Sequence, residues 1–107
     1  MTEVTINILK VRKFHGEEYC EISAEDMWKL VRTGPAPYYR PLGKFIAKEP
    51  SGVYSVVDNE TGDAWTEAFY SRTIALKWLI GEYEDTDYAH KLDRSRHKAA
   101  DRVGGGL

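Results

Sequence analysis

The sequence predicts an α+β fold: one small domain with a mainly antiparallel sheet of about five strands and two packed helices, ordered ββαβββα. Three observations predict it. Short apolar runs over residues 44–69 are punctuated by turn residues, with alternation of period two in the last of them. Two stretches, one after Ser23 and one after Ser71, carry apolar residues at helical spacing behind a capping hydroxyl. The chain has 107 residues, 42% hydrophobic and 30% charged, which suits one compact domain and not two. The expected organisation is a single domain over residues 1–83. It divides into a ββα unit (1–33), a Pro-rich connection (34–43) and a βββα module (44–83). Residues 84–107 follow as a charged tail, expected to be a marginal helix supported by contacts elsewhere and then disordered.

The elements follow in order. Val4, Ile6 and Ile8 alternate with polar residues before Leu9 and Val11 take the other parity, so the first strand is expected to carry a bulge near Ile8 and Leu9 or to be buried on both faces. Gly16 turns the chain, and Tyr19 to Ile22 return as a second strand. Ser23 caps the first helix, with Asp26 three residues on as an acidic capping-box partner and Ile22 with Met27 as a hydrophobic staple. Ala24, Met27, Trp28 and Val31 form its expected stripe, and Gly34-Pro35 ends it. Three prolines between Thr33 and Gly43 then require an extended connection.

Phe45, Ile46 and Ala47 make a strand that Pro50 and Gly52 close. Val53 to Val57 are β-branched and aromatic. Asp58, Asn59, Gly62 and Asp63 supply hairpin-turn chemistry. Trp65, Glu67 and Phe69 then share one strand face. Ser71 caps the second helix, Ile74, Ala75, Trp78 and Leu79 form its stripe, and Gly81 stops it. Trp65, Phe69, Trp78 and Leu79 are the leading expected core residues. Beyond Glu82 an acidic run passes into a basic one with only a thin apolar stripe (Tyr88, Leu92, Ala99), and residues 103–107 are expected to be disordered.

Composition narrows the function classes. A net charge of −2 gives no global field toward nucleic acid or an anionic membrane. The single Cys20 excludes an internal disulfide framework, and no run approaches the length of a membrane helix, so a cytoplasmic location is expected. The acidic turn lacks the glycine position and terminal bidentate Glu of a calcium loop. His90 and His97 share a face if the tail is helical, yet lack the further ligands that zinc needs. Cys20 has no His brought to it by any motif, and Glu67 has no second positioned group. No catalytic residue, metal or cofactor is therefore assigned.

The run over residues 53–79, Y-x-V-V-D-N-x-T-G-x-A-W-T-E-x-F followed by A-x-x-W-L, resembles the βββα units of small phage and mobile-element proteins. Its layout is similar to the amino-terminal arm-binding domains of integrases, whose three-stranded sheet enters a DNA groove, and that resemblance implies DNA binding. The sequence departs from them where phosphate contacts fall: its second and third strands and their turn carry Asp58, Glu60, Asp63 and Glu67 and no cation. The helix-strand-strand-strand-helix order after Ser23 is similar to double-stranded-RNA-binding domains, but Arg72 is the lone cation at the second helix start.

The expectation is a non-catalytic interaction domain, of the kind a phage or mobile element uses to inhibit or modulate a host defence protein. Its partner is expected to be a protein, with homodimer formation left open. The expected contact residues are Tyr38, Tyr39 and Arg40 as anchors, and Asp58, Glu60, Asp63 and Glu67 facing a basic groove. The alternative is nucleic-acid binding through Lys10, Arg12, Lys13, Lys91, Arg94, Arg96 and Lys98.

Overall fold

A computed structural model describes residues 6–32 and 41–105. Five strands form one sheet in the order β1-β2-β3-β4-β5: β1 Lys10–Phe14, β2 Glu17–Glu21, β3 Gly43–Lys48, β4 Tyr54–Asn59 and β5 Trp65–Phe69. Three helices accompany it: α1 Ala24–Arg32, α2 Arg72–Leu79 and α3 Thr86–Gly105. The α+β class is as expected. The sheet is mixed, because β2 and β3 pair in parallel while the other three pairings are antiparallel. The cause is α1, which carries the chain from the end of β2 back to the start of β3, a connection that only parallel neighbours need.

Alternation along the strands divides the core into two layers. Phe45, Ala47 and Val57 face α1, where Ile22, Met27 and Leu30 join them. Tyr19, Ile46, Val56 and Phe69 face the other way, against Ile74, Ala75, Leu76 and Leu79 of α2 and Ala89 of α3. The sheet is thus sandwiched, with α1 on one face and α2 and α3 on the other. Each large apolar side chain fully buried here contributes on the order of 1.5–3 kcal/mol.

The two serine caps act as read. The Ser23 hydroxyl accepts the Asp26 amide at 3.1 Å, and the Ser71 hydroxyl accepts the Ile74 amide at 3.2 Å. Gly81, at φ +83°, ends α2: its amide bonds Trp78 O, and the Glu82 amide reaches Lys77 O, the paired bonds of a Schellman turn. The Asp26 carboxylate also accepts the Asn7 amide at 3.0 Å and pairs with Lys29 at 3.1 Å. Those partners hold its carboxyl below the usual carboxylate range, the Asn7 bond contributing most.

Several expectations are corrected. β1 starts at Lys10, and Ile6 to Leu9 run on beyond the sheet end, where Ile6 packs on the α1 layer. Leu9 still donates its amide to Glu21 O at 2.9 Å, beside the Lys10–Glu21 pair, so the parity switch falls where regular pairing begins. Trp65 is 60% exposed instead of core: β5 is an edge strand and α2 is too short to cover its first residue. In α1 the buried face centres on Met27 and Leu30, leaving Trp28 and Val31 on its flank. The charged segment after residue 84 takes its helical alternative over 20 residues, and the helix runs on through Val103, Gly104 and Gly105, where disorder was expected. Its inward face is anchored by Ala89, Leu92 and Asp93, and a docked helix propagates more readily than an isolated one.

Candidate functional site

The strand directions give the domain two chemically different ends. The β1–β2, β4–β5 and α2–α3 connections all lie at one end, and the carboxyl ends of β2 and β3 lie at the other. Side-chain contacts tie the first end together. His15 of the β1–β2 turn bonds Glu82 of the α2–α3 connection, the Trp65 and Trp78 rings meet edge to face at 6.5 Å, and Trp78 Nε1 donates to Thr86 Oγ1 at 3.0 Å.

This turn end is acidic. Glu17 and Glu18 open β2 just past the first turn, Asp58 lies near the end of β4 with Glu60 and Asp63 in the turn that follows, and Glu82, Glu84 and Asp85 lie in the α2–α3 connection with Asp87 in the first turn of α3. Lys44 offsets part of that charge, because its ammonium lies 2.8 Å from Glu60 and 3.6 Å from Asp58. The β4–β5 turn is tied by side-chain hydrogen bonds. Buried Asn59 accepts the Ala64 amide at 3.0 Å and donates to Pro41 O at 2.8 Å, Asp58 accepts the Glu60 amide, and Asp63 accepts the Thr61 hydroxyl. Beside the acids stand two exposed aromatics, Trp65 at 60% and Tyr88 at 56%. Tyr88 meets Tyr83 edge on, with ring centroids 6.0 Å apart.

Glu67 is placed differently from the other acids. It lies under α3, where its carboxylate accepts Trp65 Nε1 at 3.0 Å and meets His90 Nε2 at 2.6 Å, and His90 stacks on Phe69. It is a clasp between β5 and α3 and not an outward contact residue. His90 is the second group that the sequence did not place beside it. A carboxylate-oriented imidazole is half of a general-base arrangement. Cys20, the chain's lone thiol, lies across the sheet on the α1 face, and burial, aided by Glu18, pushes it further toward the protonated form. Among the described residues no group of three or more His, Cys, Asp or Glu is placed to hold a metal ion.

The cations of the nucleic-acid reading do not form one patch. Lys10, Arg12 and Lys13 lie on β1, at one edge of the sheet, and Arg12 pairs with Glu21 at 2.7 Å. Lys91, Arg94, Arg96 and Lys98 lie on α3, which is joined to β5 at the opposite edge. Four strand spacings, about 19 Å, separate those edges. Tyr38, Tyr39 and Arg40 lie outside the described residues.

At the other end β2 and β3 finish side by side, α1 and α2 begin on opposite faces, and a cleft of about 440 Å³ opens between them. Arg72, at the start of α2, donates to the Tyr19 hydroxyl at 2.8 Å and to Glu21 at 2.7 Å. Burial works against its charge, but those two bonds outweigh burial and raise its pKa. No protein-family model matches this chain, and no curated protein and no solved structure matches it.

Proposed function

We propose that this protein is a non-catalytic interaction module that engages a basic surface of a partner protein through its turn end. The observation that carries the reading is the convergence, at one end, of acids in or beside three connections with exposed Trp65 and Tyr88. Aromatics at such a place supply contact area at small entropic cost, and the clustered carboxylates steer a cationic partner and fix its orientation. The same field opposes nucleic acid at this end, because phosphate carries the acids' own sign. An accessory role in which a phage or mobile element modulates a host defence protein suits the size and the module layout.

The test compares wild type with Trp65→Ala/Tyr88→Ala and with Glu60→Lys/Asp63→Lys, each checked for folding by circular dichroism. Each is used to capture partners from nuclease-treated host lysate. One protein should be retained by wild type and lost from both variants. Equal capture by all three would refute the assignment of the surface. Capture that nuclease abolishes, and that depends on Lys91, Arg94, Arg96 and Lys98, would move the function to nucleic acid.

A further inference from the structure

We propose that the cleft where β2 and β3 end binds a small organic anion, an apolar body carrying a carboxylate or a phosphate group. The cleft, about 440 Å³, falls within the size range of small-molecule sites. It opens beyond the carboxyl ends of two parallel strands, where departing connections leave a crevice. Leu9, Ile22 and Ala47 line it with apolar surface, and Lys48, Tyr54 and Arg72 bring polar groups to it.

The charge balance selects an anion. Glu21 is the acid of the lining, and its Oε1 atom already receives both Arg12 Nε and Arg72 Nη2, each at 2.7 Å. Within the lining Glu21 offsets Arg72, and Lys48 leaves one net positive charge; its ammonium lies 5.9 Å from the Tyr54 ring centre, and no carboxylate pairs with it among the described residues. Arg72 is also pre-oriented. Its contacts to Tyr19 and Glu21 run through Nη2, leaving the Nε and Nη1 hydrogens for single charge-assisted bonds to an anion. The half-buried Tyr54 ring offers a flat surface for the ligand body.

The experiment titrates the full chain with sodium benzoate, phenyl phosphate and neutral benzyl alcohol, followed by amide chemical shifts. Saturable shifts are expected at Ile22, Ala24, Lys48, Tyr54 and Arg72 with either anion, with affinity for benzyl alcohol lower by about tenfold or more. Arg72→Gln should abolish the response, but it also strips Tyr19 and Glu21 of a partner. Lys48→Glu alters an exposed rim residue and should lower anion affinity by about fivefold or more while the spectrum elsewhere stays unchanged. Equal binding of benzyl alcohol, anion shifts confined to α3, or no saturable shift up to roughly 10 mM would overturn the proposal.

Discussion

Asp93 is the residue on which the docking of α3 depends most. Its side chain is buried, and its two carboxylate oxygens accept the Tyr70 and Ser71 amides at 2.7 and 2.8 Å. Those amides precede α2, so the carboxylate also sits at the positive end of that helix. Asp93→Asn keeps the shape but turns an NH2 group toward one of the two N–H donors. Hydrogen bonds to a charged acceptor are worth about 1.5–3 kcal/mol each, and a stranded buried donor costs about 1–3 kcal/mol. Losing one bond and frustrating the other gives a destabilisation of about 2–4 kcal/mol, a large part of the 5–15 kcal/mol typical of a domain. With a urea m-value of about 1–1.5 kcal/mol/M, the midpoint should fall by roughly 2–3 M. Amide exchange separates global loss from local release: if α3 detaches alone, protection falls at Ala89 and Leu92 first and persists in β3 and β4. An Asn variant within about 0.5 kcal/mol of wild type, with unchanged exchange in α3, would refute the anchor.

Three further outcomes follow from single groups. The Tyr83 hydroxyl is buried without a hydrogen-bond partner among the described residues, and burial raises its pKa, so Tyr83→Phe should leave stability unchanged or raise it by up to about 1 kcal/mol in thermal unfolding; a clear loss would reveal a bonding partner. The Cys20 thiol is pushed above its usual pKa by burial first and Glu18 second, so iodoacetamide at pH 7.5 should modify it more slowly than free cysteine, and equal rates would contradict its placement. The folded-state pKa of Asp26 is depressed below its unfolded value. Its contribution is therefore complete above an unfolded pKa of about 3.9 and is lost as pH falls through the folded value. Asp26→Asn should flatten the acid limb of stability measured between about pH 5 and 2, and an unchanged limb would remove Asp26 as its source.

What the sequence determined by itself is local. Ser23, Ser71 and Gly81 act through hydrogen bonds to backbone a few residues away, so helix starts and the α2 stop were legible without a partner. The β4–β5 turn and the alternation of β5 were legible for the same reason. Tertiary structure decided what depends on neighbours distant along the chain. Trp65 sits on the inward side of β5, yet its burial depends on how far α2 reaches across an edge strand, which alternation does not encode. Glu67 looked outward as a lone acid, and only the docking of α3 brings His90 against it. The weak apolar stripe of α3 concealed its anchor, because Asp93 is polar and its bonds reach back to Tyr70 and Ser71. The two ends of the domain belong to the same class. Acids in or beside three turns spread over some seventy residues converge because β1, β4 and α2 all run to one end, and Arg12, Glu21 and Arg72 meet because β1 pairs with β2 and α2 starts over the end of β2. Charge clusters of this kind are products of topology, while a one-dimensional pattern records only the periodicity of each element.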